Sequence, residues 1–273
     1  MRGAPVLHVQ SAEAGTVNII LLGSLASVAA GLMTVLGAIP VLFGREISNR
    51  AEDTVLGFAA GVMLAASFFS LIIPAVESAE EMHGGRLVPA AIASAGVLIG
   101  VVAIAAANEL IPHQHFVQGK QGPQGAAISK VWLFVAAITI HNFPEGMAVG
   151  VAFGGGDVSN GITLAIGIGL QNAPEGLAVA LALVAEGNSR AQALLIAGAT
   201  ALVEPIGGFL GVSAVTFFRT LLPWALTFAA GAMLYVISHE IIPETHSRGF
   251  QKQATAGLTA GLILMTFLDI AFG

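Results

Sequence analysis

Apolar residues fall in eight long blocks, at residues 16–43, 54–73, 87–110, 128–153, 160–184, 191–217, 222–242 and 253–272. A helix needs about 20 apolar residues to cross a hydrocarbon core of ~30 Å, and each block is that long. The predicted fold class is all-α and integral to the membrane: one bundle of eight transmembrane helices over residues 16–273. Residues 1–15 are expected as a tail. Residues 111–127 are expected as the longest connection, a flexible polar loop holding His113 and His115. Glycine pairs four apart recur at Gly57/Gly61, Gly96/Gly100, Gly146/Gly150, Gly207/Gly211 and Gly257/Gly261. They put small residues on single helix faces, which suits close packing inside the chain and a homodimer equally.

Composition agrees with lipid as the surrounding solvent. The chain is 56% hydrophobic and 10% charged, where a soluble domain carries about 25% charge. The absence of cysteine excludes disulfides and thiolate metal sites. A net charge of −6 gives no basic footprint for nucleic acid. The N-terminus lacks a basic stretch followed by a small-residue cleavage site, so no removed signal peptide is expected. Arg45, Arg50, Lys120, Lys130, Arg190, Arg248 and Lys252 lie in the odd-numbered connections, and only Arg2, Arg86 and Arg219 on the other face. The positive-inside rule then puts the odd connections in the cytoplasm and both termini outside.

Polar residues interrupt three blocks at their middles. The fourth holds His141-Asn142-Phe143-Pro144-Glu145-Gly146, the fifth Gln171-Asn172-Ala173-Pro174-Glu175-Gly176, and the sixth Glu204-Pro205. A charge at the bilayer centre costs at least about 2.5–3.5 kcal/mol, so such residues mark pathways or partners. Positions i, i+1 and i+4 share one helix face, so each hexad turns its polar groups the same way. The prolines cannot donate to the carbonyls of Ile140, Leu170 and Ala201, which are expected to be free. Three buried carboxylates need protons or a cation. One imidazole with oxygen ligands suits Zn²⁺, and less selectively Cd²⁺, Fe²⁺ or Mn²⁺. A single His or Glu would be read as packing; the constellation carries the metal reading. The two hexads lie on consecutive, antiparallel spans, which predicts inverted-repeat pseudo-symmetry of the transporter kind.

Acids and histidines extend the path. Glu77 and Asp269 are placed at an outer entrance, with Glu80 and Glu81 as loop acids. Asn108, Glu109, His113, His115, His239, Glu240, Glu244 and His246 are placed along an inner exit. Met63 reads from its position as packing. An intramembrane zinc-dependent hydrolase is the alternative. Against it, His239-Glu240 opens like H-E-x-x-H but has Pro243 where that motif needs histidine.

The paired hexads in an eight-span chain with a His-bearing third loop resemble the ZIP family of divalent-metal transporters, bacterial branch. The resemblance implies a multi-pass protein of the cell (inner) membrane that is not an enzyme. It also implies movement of Zn²⁺, with Cd²⁺ as a substitute, into the cytoplasm. It implies a binuclear centre, with Met63, His141, Glu145, Gln171 and Glu175 around one ion. Asn142, Glu145, Asn172, Glu175 and Glu204 would surround the other. Many family members carry His and Glu at the positions of Gln171 and Asn172, and the two amides here weaken the second site.

Overall fold

A computed structural model describes residues 6–44, 47–110, 113–115, 119–121, 130–185 and 187–273. Arg45, part of the tail and most of the third connection lie outside them. Eight long helices follow one another: α1 (Val6–Ala38, ending in a tighter turn over Ile39–Phe43), α2 (Asn49–His83), α3 (Leu87–Leu110), α4 (Lys130–Gly154), α5 (Val158–Ala185), α6 (Arg190–Phe217), α7 (Arg219–Thr245) and α8 (Gln251–Phe272). Among the described residues, seven are long and apolar enough to cross a membrane. The other, α4, is 25 residues long and carries the first polar hexad. Helix α1 begins at Val6, inside the stretch expected as tail.

Local chemistry sets the ends. Ser48 accepts from the Ala51 N–H, and Ser189 forms a reciprocal cap with Gln192. Gly44 closes the first helix at φ 66°, where a side chain would be strained. Within the third connection, His113–His115 pairs antiparallel with Gly119–Gln121 as a short ribbon.

Helices pair tightly through the glycines. A Cβ on Gly146 would stand 2.0 Å from the Glu204 carbonyl oxygen, and one on Gly207 2.4 Å from that of Phe143, so α4 and α6 touch backbone to backbone. Gly57 and Gly61 meet α8, whose Gly257 and Gly261 meet α2 in return; Gly96 and Gly100 meet α7. All five glycine pairs are thus used inside the chain. Without a hydrophobic drive in lipid, such contacts supply the packing energy.

The bundle is layered. α2 is 67% buried over its most apolar stretch and α8 only 17%. Helices α2, α4, α5 and α7 form the interior, and α1, α3, α6 and α8 the periphery. Outward stripes such as Leu21, Leu25 and Leu32 on α1, or Ile263, Phe267 and Ile270 on α8, are exposed apolar surface.

Proline acts differently from helix to helix. α4 and α5 run unbroken through Pro144 and Pro174. α6 breaks at Ala201–Leu202, so Pro205 sits in the first turn of a new helical segment, where it needs no N–H partner. The Ala201 carbonyl is not free, contrary to expectation: it accepts from the Glu204 N–H at 3.2 Å. α2 and α7 instead widen by a residue per turn over Ser67–Ile72 and Ile237–Ile241, just ahead of Pro74 and Pro243.

Candidate metal centre

His141, Asn142 and Glu145 on α4, Gln171, Asn172 and Glu175 on α5, Glu204 on α6 and Glu240 on α7 are all buried, none more than 6% exposed. They meet near the middle of the bundle, where glycines clasp α4 to α6 at Gly146 and Gly207 and α5 to α1 at Gly176 and Gly37. Within the hexads the groups divide among different neighbours. His141 Nε2 contacts Glu240 Oε2 across to α7. Gln171 donates to Glu145 Oε1 at 2.8 Å. Asn172 donates to both oxygens of Glu204 at 2.9 Å and to the Ala30 carbonyl at 3.0 Å. The Ser27 hydroxyl holds the Glu204 carbonyl at 2.8 Å.

The side chains expected to form one cage stand here as three pairs, His141–Glu240, Gln171–Glu145 and Asn172–Glu204. Among the described residues, no three His, Asp or Glu side chains stand close enough together to hold one ion. The physical reason is that Glu145, Glu204 and Glu240 have each turned to a different neighbouring donor. Acceptor capacity remains: Glu145 Oε2, Gln171 Oε1 and Asn172 Oδ1 are buried with no hydrogen-bond partner. No lysine or arginine among the described residues pairs with Glu145, Glu175 or Glu204. Buried acceptors and acids with no fixed cation are what a mobile cation can satisfy.

Other predicted residues take distinct places. Met63 is fully buried in the core of α2, its carbonyl accepting from Ser67. At the predicted entrance, Asp269 accepts from the Ser70 hydroxyl at 2.5 Å, and Asn160 donates to the Ser70 carbonyl at 3.1 Å. Pro74 leaves that carbonyl without its helical N–H, so the amide of Asn160 takes the vacant role. Glu77, Glu80 and Glu81 are exposed.

On the exit side, Asn108 donates to Glu240 Oε1 at 3.1 Å, whereas Glu109 is exposed. Glu240, predicted as an exit group, thus also contacts the central His141. His239 stacks on Tyr235 with ring centres 4.8 Å apart. His246 turns Nδ1 to the Ile242 carbonyl at 2.9 Å. The backbones of His113 and His115 lie in the ribbon.

A cavity of about 60 Å³ runs from His141, Glu175 and Glu240 to Glu52, Glu244 and Arg248. It opens at the end of the bundle that carries the first and seventh connections. Glu244 was placed at the exit from the sequence, but its partners were not singled out: Arg248 binds Glu52 at 2.8 and 3.0 Å, Glu244 at 3.1 Å and Asp53 at 3.5 Å. Burial opposes the charge of Arg248, but Glu52, Asp53 and Glu244 outweigh it and raise its pKa above the ordinary arginine value. The only sequence signal was the i, i+4 spacing of Glu244 and Arg248.

An eight-helix membrane bundle with imidazole, amide and carboxylate groups at its middle, reached by a cavity from one face, defines a membrane protein built to handle a cation. A family model described as ZIP zinc transporter matches residues 112–269. The chain is 46% identical over 252 residues to a Myxococcus xanthus protein named zinc transporter GufA, covering 92% of this chain and 99% of that one. It is 47% identical over 240 residues to zinc transporter ZIPB of Bordetella bronchiseptica, covering 88% and 78%. Human zinc transporter ZIP11 is 32% identical, covering 88% of this chain and 94% of its own. The chain belongs to the ZIP zinc transporter family.

Proposed function

We propose that the protein carries Zn²⁺ across the cell membrane into the cytoplasm, through the centre between α4 and α5, as a carrier and not as a catalyst. One observation supports this most: the cavity that joins His141, Glu175 and Glu240 to one face of the bundle. Positive-inside reasoning makes that face cytoplasmic, so the structure stands inward-facing. The ties among Ser70, Asp269 and Asn160 close the opposite end. Both termini are then extracytoplasmic.

The cargo exchanges for hydrogen bonds. A Zn²⁺ ion at the centre takes Glu145 from Gln171 and His141 from Glu240. Glu175, which faces the cavity, is the remaining ligand of that set, with Met63 and Gln171 on its flanks. A second ion beside it uses Asn142, Asn172 and Glu204, with Glu145 and Glu175 shared. Oxygen and nitrogen ligands without thiolate hold zinc loosely enough to release it, and the same set accepts Cd²⁺. The test is uptake by the purified protein in sealed vesicles. Zn²⁺ should enter at a saturating rate and Cd²⁺ should compete. Vesicles that take up neither ion would remove the reading.

A further inference from the structure

We propose that Arg248 is the release residue of the exit, a tethered cation that keeps Glu52, Asp53 and Glu244 from trapping the departing ion. The inference rests on the transport reading above and goes beyond it, since neither Arg248 nor its partners belong to the central ligand set. Four observations carry it. Glu52, Glu244 and Arg248 line the same cavity as His141 and Glu175, so an ion leaving inward passes them. Three carboxylates face one guanidinium there. Asp53 is fully buried, and its Oδ2 has no partner at all. Arg248, Glu52 and Glu244 are also largely shielded, with side chains 24%, 18% and 16% exposed, so water screens the cluster weakly.

As they stand the three acids are not grouped closely enough to hold one ion, but without the guanidinium Glu52 and Glu244 on the cavity wall would be free to turn to a passing divalent cation. Arginine prevents this in a way lysine matches only partly. Its fork offers five N–H donors and stays charged at any working pH. Here it engages Glu52 through both terminal nitrogens while reaching Glu244 and Asp53. An arriving ion draws Glu52 and Glu244 from the guanidinium for a moment. The guanidinium, tethered on the short turn before α8, then reclaims them and expels the ion to the cytoplasm. The neighbouring Gly249, at φ 90°, permits that turn.

The test compares the wild type with R248Q, R248K and the triple variant R248Q/E52Q/E244Q. Zinc uptake into vesicles gives the rates, and equilibrium dialysis in detergent gives zinc bound per chain. R248Q should show a several-fold lower maximal rate, an unchanged or lower KM, and more zinc retained per chain. R248K should recover part of the rate. The triple variant, with the trap neutralised, should recover more rate than R248Q and lose the extra zinc. A triple variant as slow as R248Q, with both monodisperse, would make the network a structural brace and overturn the proposal. Wild-type rates in R248Q would overturn it as well. If R248Q does not fold, the dialysis and uptake of R248K against the triple variant decide by the same criteria. Failure of the wild type itself to take up zinc would instead remove the transport reading, and this inference with it.

Discussion

At the scale of single residues, the centre is governed by who donates to each carboxylate. Asn172 is the informative case, because its amide holds both Glu204 oxygens and the Ala30 carbonyl. Asn172→Asp would remove that donor and set two carboxylates against each other. Losing a hydrogen bond to a charged group costs about 1.5–3 kcal/mol. The metal-free variant should melt lower than the wild type, and zinc should raise its melting temperature by more than it raises the wild type's. An equal zinc-induced shift would mean that position 172 does not face the second ion. The two hexads were legible because polar residues in mid-span have few bland explanations. The pairing of His141 with Glu240 was not: it depends on how α7 is rotated against α4, and Glu240 read as an exit group from its place near a span end. Arg248 was still less visible, since an arginine in a connection looks like any positive-inside charge until Glu52 is folded against it.

At the scale of elements, close contact between α4 and α6 sets where Glu204 stands. Gly146 lies one residue from Glu145 and against the Glu204 backbone, with no room for a Cβ. Gly146→Val should therefore destabilise by about 1–3 kcal/mol or more through overpacking. It should also reduce zinc uptake by pushing Glu204 away from Asn172. Thermal unfolding in detergent and vesicle uptake check both parts; full stability with full uptake would contradict the packing account. The span count was legible from the apolar blocks, and so was the presence of small-residue faces. Their partners were not, because a glycine pair looks the same whether it meets another helix of the chain or a second copy. Proline was misread at Pro205 for a related reason: from sequence it looked like a defect within a helix, whereas a break at Ala201–Leu202 makes it the start of a segment. The His113–His115 ribbon carries no hydrophobic alternation that would have announced it.

At the scale of the whole molecule, hydrogen bonds tie α2, α5 and α8 together at Ser70, and a cavity lies between α2 and α7 at Glu52 and Glu244. The chain has no cysteine, so a single introduced thiol reports accessibility without background. Leu56 lines the cavity, and Leu56→Cys should react with a membrane-impermeant maleimide from the cytoplasmic face alone. Labelling from the outside alone would reverse the orientation drawn from the charge bias. The central claim is that the transported ion passes between the two hexads. Zinc uptake into proteoliposomes by the wild type beside Glu145→Ala, a variant missing the acid shared by both proposed ions, tests it most directly. The account predicts saturable uptake in the wild type and near-complete loss in the variant with the protein still folded; uptake by Glu145→Ala at the wild-type rate would contradict it.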